Sequence, residues 1–271
     1  MHYMSKDKLY ILDNLFTHTH SSSWYNKPEL FEWVRSLDGE HIVLTDNMLS
    51  HVDNIQGKKK YGWLVESPEI TPHAYSYIKN NYEKFDTVFT FDRELLDLSD
   101  KFMLLPIGGC WIKEEDRFIS EKTKNTSIIL SSKKQTKGHK LRHDIAFNDV
   151  ISGLDIFGFT NPIENKIEAL KDYRFSVIIE NTKQDYYFTE KIIDCLITGT
   201  IPIYWGCPSI GDFFDINGFI IFDKIEDLKD INQILTSKFY NCKLEHIIKN
   251  YEIAKNYLVG DDFVHRYITN D

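Results

Sequence analysis

The chain has 271 residues, of which 42% are hydrophobic, enough for one large core or two smaller α/β domains. Its formal net charge of -9 argues against a protein whose main task is to bind nucleic acid, because neutralising phosphates needs a basic surface. The four cysteines are widely spaced and form no CxxC pair, so they indicate reduced thiols rather than a disulfide framework or a zinc site.

The first half of the chain alternates short β-type runs with polar or amphipathic segments. Its N-terminus lacks the apolar stretch of a signal peptide, and no run approaches the ~18 apolar residues of a membrane span, which predicts a cytoplasmic protein. The predicted strands cover residues 9–13, 41–45, 61–66 and 87–91. This alternation favours a parallel sheet with crossover segments between its strands.

The second half repeats the alternation after a charged, turn-prone stretch. Strands are predicted at 127–131, 154–159, 175–179, 201–205 and 219–222, and helices at 140–149, 163–171, 189–196 and 226–236. The pair Gly108-Gly109 and the charged run after it mark the break. We therefore expect an α/β protein of two facing Rossmann-like domains with mostly parallel sheets, one over residues 1–115 and one over 116–271.

A strand, a polar loop and a helix follow one another between residues 175 and 196. The strand ends in Glu180-Asn181-Thr182, and Thr189 is a good N-cap residue for the helix. Ligands of such sheets bind outside the carboxyl ends of the strands, where this loop lies. Lys191, in the first helical turn, opposes the helix macrodipole unless an anion binds there, and a diphosphate would be such an anion.

Several short motifs surround this loop. They are Tyr173-Arg174-Phe175, Glu180-Asn181-Thr182, Tyr187, Thr189-Glu190-Lys191 and Ile201-Pro202-Ile203-Tyr204-Trp205-Gly206. Together they resemble the donor-binding signature of the α1,3/α1,4-fucosyltransferase family. The resemblance implies two Rossmann-like domains of the GT-B type, transfer of fucose from GDP-fucose with inversion, and donor binding mainly by the C-terminal domain, with the N-terminal domain on the acceptor side. It also implies that Asn181 and Tyr187 contact the donor, that Glu190 hydrogen-bonds sugar or ribose hydroxyls, and that Lys191 neutralises the diphosphate.

The segment 131–143 contains no acidic residue, although the whole protein is acidic. A basic loop directly after a strand could stabilise a leaving diphosphate, as Mg²⁺ does in metal-dependent enzymes. We predict Arg142 as the phosphate contact, because Ser131-Ser132 followed by Arg142 resembles the family's phosphate-binding element. The lysines of this segment could instead form a solvated basic face. No metal site and no cofactor are expected, since the GDP-sugar is a co-substrate.

Glu66 ends an apolar strand and precedes Ser67-Pro68 at the carboxyl edge of the first sheet. An inverting displacement needs one carboxylate that takes the proton of the acceptor hydroxyl. We predict Glu66 as this base, because Glu-Ser-Pro followed by Thr71-Pro72 is similar to the family segment that holds the catalytic glutamate. Glu69 is a nearby rival, and capping of a helix that begins near Thr71 is an alternative role for Glu66.

The loop after the first strand contains His18 and His20, followed by serines and two aromatic residues. Sugars stack on aromatic rings, so this loop could line the acceptor site. Alternating histidines in a polar loop are also typical of solvent-exposed surface.

The motifs together predict an inverting glycosyltransferase that transfers fucose from GDP-fucose to a hydroxyl of an oligosaccharide acceptor. Four alternatives stay open. The same fold could use another nucleotide sugar, could act on a nucleic-acid acceptor through the lysine-rich loop, could bind a nucleotide sugar or glycan without turnover, or could be a retaining transferase. The acidity of the chain argues against the nucleic-acid acceptor.

Overall fold

The computed structural model describes residues 6–17 and 19–269. These residues form two compact units. The first comprises the described residues up to Gly109 together with those from Val259 onward, and the second comprises Cys110–Leu258. The boundary thus lies directly after the glycine pair, whereas the sequence analysis places it after residue 115.

The first unit is built on parallel strands. They are β1 (Asp7–Leu12), β2 (Phe31–Val34), β3 (His41–Thr45), β4 (Lys59–Trp63), β5 (Thr87–Thr90) and β6 (Phe102–Leu104). Within the described residues they form one six-stranded sheet in the order β2-β1-β3-β4-β5-β6. Helix α1 (Pro72–Asn81), helix α2 (Arg93–Leu96) and 3-10 stretches at Asp46–Asn54 and Tyr82–Lys84 lie between the strands.

The sequence analysis missed β2 and β6, the two edge strands. β2 alternates buried and exposed residues over four positions, and β6 exposes two of its three residues. A short, half-exposed strand lacks the continuous apolar run that marks a strand buried on both faces. The inner strands have that run because apolar clusters cover both faces of the sheet.

The second unit repeats this architecture. Its strands are β7 (Lys124–Leu130), β8 (Leu154–Gly158), β9 (Tyr173–Ile179), β10 (Ile201–Trp205) and β11 (Ile220–Ile221). Within the described residues they form a five-stranded sheet in the order β11-β10-β9-β7-β8, and all neighbouring strands are parallel. All five strands of this half were predicted, and the bounds of β10 agree to the residue.

The helices of the second unit agree less well with prediction. They are α3 (Lys137–Phe147), α4 (Glu190–Leu196), α5 (Leu228–Ile234), α6 (Ser237–Cys242) and α7 (Leu244–Ala254). The predicted helix 163–171 is wrong: the chain forms one 3-10 turn, Lys166–Ala169, which buries Ile167 and Ala169 before β9 begins. No helix among residues 6–17 and 19–269 has the length and apolarity that a membrane crossing requires.

The strand order has a switch point between β7 and β9 in the second sheet. From β7 the chain crosses to β8 on one side and then to β9 on the other. Since crossovers between parallel strands are right-handed, the loops after β7 and β9 are expected on opposite faces, and in such sheets the ligand crevice lies at this switch point, at the carboxyl ends of the strands. The basic segment 131–143 follows β7, and the motif Glu180-Asn181-Thr182 follows β9.

The end of the chain returns to the first unit. Helix α8 (Asp261–Thr269) places Val264 and Ile268 in the same apolar cluster as β1 and β4 residues. Buried Asp261 accepts hydrogen bonds from Trp33 Nε1 at 2.6 Å and from Ser22 Oγ at 2.5 Å. The segment from Val259 onward thus packs with the first unit, whereas the sequence analysis includes it in the second domain.

Candidate functional site

The start of helix α3 lies against the loop after β9. Thr136 caps the helix: its Oγ1 accepts from the His139 amide, and its own amide donates to His139 Nδ1. The amide of Gly138 donates to the Asn181 carbonyl at 3.1 Å. A Cβ at position 138 would lie 1.7 Å from the Glu180 carbonyl oxygen, so glycine is required for this close approach.

Arg142, one turn further along α3, is buried at the crevice of the second sheet. Its Nη2 donates to Asn181 Oδ1 at 2.8 Å, whereas its Nε is buried without a hydrogen-bond partner in the described residues. Burial lowers the pKa of Arg142, while Glu180 and Glu190 act in the opposite direction. Among the described residues no carboxylate lies within 4 Å of this guanidinium. A buried cation with an open N–H donor favours an anionic ligand.

Glu180 joins the end of β9 to the start of α4. Its side chain is fully buried and accepts from the Thr189 amide at 3.0 Å and from Thr189 Oγ1 at 2.7 Å. A Cβ at Gly206 would lie 2.6 Å from Glu180 Cγ, so the glycine after β10 leaves room for this carboxylate. Thr189 is the N-cap of α4, as predicted, and its Oγ1 accepts from the Lys191 amide.

Lys191 lies among the protein's own acids. Its Nζ is 3.6 Å from Glu180 Oε2, 3.4 Å from Glu190 Oε1 and 3.0 Å from Thr189 Oγ1. The cation in the first turn of α4 therefore has partners in the chain, and its position alone does not require a bound anion. This weakens the macrodipole argument of the sequence analysis and leaves Arg142 as the stronger indication of an anion site.

Arg142 and Lys191 both act on the buried His139 of helix α3. Burial and then Arg142 and Lys191 lower the pKa of His139 to about 4. Arg142 donates to Asn181, and Lys191 lies 3.6 Å from the neighbouring Glu180 carboxylate, so both cations lie beside the loop after β9. His139 is buried and stays neutral near pH 7, so it adds no charge there.

A network that the sequence analysis missed holds Glu190. Lys166 Nζ lies 2.7 Å from Asp194 Oδ2 and 3.3 Å from Glu190 Oε1. It also lies 4.1 Å from the centroid of the Trp111 ring, and the Trp111 amide donates to Asp194 Oδ1 at 2.6 Å. Burial alone would raise the pKa of Glu190, but Lys191 and Lys166 outweigh it and lower the pKa to about 2. Glu190 is therefore ionised and held in place.

Asn181 and Tyr187 occupy the same loop. Asn181 is half-buried and orients Arg142, while Tyr187 is buried and contributes to the electrostatic environment of Arg142. The structure thus brings together the predicted residues Arg142, Asn181, Tyr187, Glu190 and Lys191. Their contacts with a donor stay a prediction.

Glu66 lies on the loop after β4 in the first unit and is partly exposed. Its amide donates to Asp46 Oδ1 at 3.2 Å, and its carbonyl accepts from the Tyr75 hydroxyl at 2.8 Å. Helix α1 begins at Pro72 with Thr71 as its N-cap residue. Its role as a base stays a prediction.

Three buried polar atoms at this end of the first sheet lack a hydrogen-bond partner in the described residues. They are Thr45 Oγ1, Trp63 Nε1 and Ser67 Oγ. Thr45 and Trp63 are register partners at the ends of β3 and β4, and Ser67 directly follows Glu66. Buried polar groups without partners are rare in proteins, and they are typical of sites that bind a ligand or water.

The remaining predicted residues are Glu69, His20 and His18. Glu69 and His20 are exposed, and His18 lies outside the described residues. The role of this loop at an acceptor site stays a prediction.

Residues 119–243 match the family model for "Glycosyltransferase family 10 (fucosyltransferase) C-term". The match covers strands β7 to β11, both loops of the crevice and the helices that follow them. The predicted resemblance to the fucosyltransferase family is thus confirmed for this part of the second unit.

Curated fucosyltransferases share part of this sequence. The alpha-(1,3)-fucosyltransferase FucT of Helicobacter pylori is 32% identical over 109 residues, which are 40% of this chain and 22% of that protein. The alpha-(1,3)-fucosyltransferase B of Drosophila melanogaster is 30% identical over 105 residues, 38% of this chain and 24% of that protein. The matched stretch therefore spans less than a quarter of either relative.

Solved fucosyltransferase structures share the fold. A crystal structure of an alpha1,3-fucosyltransferase has a TM-score of 0.60 and 19% identity, covering 99% of this chain and 91% of that one. A crystal structure of alpha1,3-fucosyltransferase with GDP-fucose has a TM-score of 0.57 and 18% identity, covering 94% and 90%. The predicted α/β class with two mostly parallel sheets is confirmed.

Sequence reasoning missed several residues of this candidate site. Lys166, Asp194 and Trp111 belong to the network around Glu190, and His139 closes the cap of α3. Lys166 is remote in sequence from Glu190, and no local pattern links them. His139 follows Thr136 at the spacing of a capping box, but the motif is usually recognised by Glu or Gln at that position.

Proposed function

We propose that this protein is an inverting glycosyltransferase that transfers fucose from GDP-fucose to a hydroxyl group of a glycan. The observation that carries the proposal is Arg142, a buried guanidinium with an open Nε at the crevice of the family-matched sheet. Relatives named as fucosyltransferases and the fold shared with a fucosyltransferase crystallised with GDP-fucose support the choice of donor.

The proposed donor site acts through two cations, Arg142 and Lys191, whose positions are fixed by their neighbours. Asn181 and helix α3 hold Arg142, and Glu180 and Glu190 hold Lys191, so both cations are oriented before the donor binds. Charges oriented in advance stabilise negative charge that develops on a departing diphosphate without reorganisation. We propose that these cations serve the purpose that Mg²⁺ serves in metal-dependent transferases.

The acceptor side requires a base. The acceptor oxygen forms a bond to the anomeric carbon while the bond from that carbon to the diphosphate breaks, and GDP leaves from the opposite face. The hydroxyl proton passes to a carboxylate, for which we propose Glu66, with Glu69 as the rival. A single displacement of this kind inverts the anomeric configuration.

Calorimetry with GDP-fucose, GDP and UDP in the presence of EDTA tests the donor assignment. We expect binding of GDP-fucose and GDP, weakened about 10- to 100-fold by Arg142→Ala because a charge-assisted contact is lost. Lys140→Ala is the matched control, since Lys140 is an exposed cation on the same helix. The affinity of this variant for GDP-fucose should stay near that of the unmodified protein. Binding of UDP alone would overturn the donor assignment.

Product analysis separates the remaining alternatives. NMR of the glycan product should show inverted configuration at the fucose anomeric carbon, whereas retention would indicate a retaining transferase. Tight GDP-fucose binding without transfer to any glycan acceptor or to water would indicate a binding protein.

A further inference from the structure

Asp46 is a buried carboxylate that neither the sequence motifs nor the proposed mechanism accounts for. It directly follows β3, its side chain is fully buried, and its backbone φ is +37°. Positive φ is uncommon outside glycine, although aspartate and asparagine tolerate it better than most residues. Leu49 and Val52 of the 3-10 stretch that Asp46 begins are buried in the core, which holds this backbone conformation in place.

The Asp46 carboxylate accepts three hydrogen bonds from the loop that carries Glu66. Oδ2 accepts from the Val65 amide at 3.1 Å, and Oδ1 accepts from the Glu66 amide at 3.2 Å and from Thr71 Oγ1 at 3.0 Å. These contacts span the loop from the end of β4 to the start of α1. One side chain therefore ties together both ends of the segment 65–71.

Both sides of the Glu66 backbone are held. Its amide is bound by Asp46, and its carbonyl is bound by the Tyr75 hydroxyl from helix α1. A residue whose N–H and C=O are both fixed by buried or half-buried side chains has little freedom in φ and ψ. The direction in which its side chain leaves the backbone is then determined by those two contacts.

We propose that Asp46 is a positioning residue for the proposed base, holding the segment 65–71 so that the Glu66 carboxylate is presented in one orientation. This proposal rests on the proposed function for its catalytic part. Its structural part, the clamp on the Val65 and Glu66 amides, does not depend on the reaction.

The ionisation state of Asp46 is expected to control the clamp. Burial raises the pKa of Asp46 to about 7, and the Glu66 carboxylate adds to this effect, while the three hydrogen bonds oppose it. The titratable groups that face Asp46 are Glu66, on the loop after β4, and Tyr75, on α1. Burial raises the pKa of Tyr75, and Asp92 adds to that effect. As pH falls through about 7, Asp46 gains a proton and one of its oxygens becomes a donor, so the clamp loses an acceptor.

Asp46→Asn is the decisive variant because asparagine also tolerates positive φ and keeps nearly the same shape. It retains one acceptor oxygen and turns an NH₂ group toward the other donor. Asp261→Asn is the matched control, since Asp261 is a second fully buried carboxylate of the same unit, with Trp33 and Ser22 as its partners. Comparison with this control removes the general effect of neutralising a buried acid.

Amide hydrogen exchange tests the clamp without any assay of activity. We expect faster exchange at Val65 and Glu66 in Asp46→Asn and unchanged exchange there in Asp261→Asn. Unchanged protection at these amides in Asp46→Asn would overturn the clamp, whatever the protein does catalytically.

Kinetics test the link to Glu66. In Asp46→Asn we expect kcat to fall at least tenfold with an unchanged KM for GDP-fucose. In the unmodified protein kcat should decrease as pH falls below about 7, and this decrease should be absent in Asp46→Asn. In the Glu66→Gln background the same change should cost less than about twofold, because residues that act as a unit are not additive. Full additivity, or a kcat equal to that of Asp261→Asn, would overturn the link.

The outcomes separate this inference from the proposed function. If the unmodified protein binds no GDP-fucose or transfers no sugar, the proposed function fails, and exchange at Val65 and Glu66 alone decides the clamp. If transfer occurs and exchange is faster but kcat is unaffected, the proposed function stands and the positioning role fails.

Discussion

At the carboxyl-end edges of the two sheets, Asp46 of the first unit and three acids beside helix α4 of the second unit lie in opposite electrostatic surroundings. In the second unit Glu180 lies within 4 Å of Lys191, and Glu190 and Asp194 lie within 4 Å of Lys166. In the first unit Asp46 accepts three hydrogen bonds from neutral groups, and among the described residues it forms no ion pair.

The carboxyl groups of Glu190 and Asp46 therefore titrate in different pH ranges. Two lysines keep Glu190 ionised with a pKa of about 2, whereas burial without a cation raises the pKa of Asp46 to about 7. Near neutral pH the second unit presents charges that do not change, which suits the binding of a diphosphate. The first unit presents a charge that responds to pH, which suits proton transfer at a neighbouring group.

Glu66→Gln is expected to give the largest effect and separates the tasks of the two edges. If the first unit supplies the base and the second binds the donor, kcat should fall by about 10²- to 10⁴-fold while GDP-fucose affinity stays unchanged. Steady-state kinetics and calorimetry on the same preparation measure both. Glu69→Gln is the control, and a larger loss in that variant would move the role of base to Glu69.

Lys166→Met should produce the next largest effect and tests the pairing in the second unit. The substitution leaves Asp194 and Glu190 with one lysine fewer in largely buried positions, so we expect a loss of about 3 kcal/mol in the free energy of unfolding. Denaturant unfolding measures it. Lys171→Met, which removes an exposed lysine nearby, should change stability by less than about 0.5 kcal/mol.

Partial rescue would confirm the cause of that loss. Asp194→Asn in the Lys166→Met background removes the stranded carboxylate, and stability should recover in part. No recovery would indicate that Lys166 acts through its packing on Trp111 rather than through its charge.

The pH dependence of stability should show a smaller effect and tests the unpaired acid of the first unit. The ordinary pKa of this carboxyl is 3.8 and its folded value is about 7, so the folded state binds the proton more tightly. The stabilising contribution of protonated Asp46 is full below pH 4 and is lost as pH rises to about 7. Thermal unfolding across this range should show a shallower decline for Asp46→Asn than for the unmodified protein. Parallel curves would contradict the raised pKa.

Local patterns predicted the strand, loop and helix around residues 175–196 well because these residues are close in sequence. The strand β9, the N-cap Thr189 and the following helix α4 form one continuous strand-loop-helix unit, and short-range periodicity and capping rules apply within it. The basic segment after β7 lies beside this unit, as the hydrogen bond from Arg142 to Asn181 shows.

The charge partners could not be predicted in the same way. Lys166 lies in a turn that the sequence analysis interpreted as a helix, and its pairing with Glu190 and Asp194 depends on how that turn packs beside α4. The positive φ of Asp46 and its hold on the segment 65–71 likewise depend on the pairing of β3 with β4. Neither relation leaves a local signature.

By itself the sequence determined the alternation of strands and helices, the break near the glycine pair and the motifs of the fucosyltransferase family, because these depend on residues a few positions apart. The tertiary structure decided which charges are neutralised, which end of the chain completes the first unit, and which groups hold Glu66. Those outcomes depend on burial and on contacts between distant segments, and the free energy of a charge is set by such surroundings rather than by its sequence neighbours.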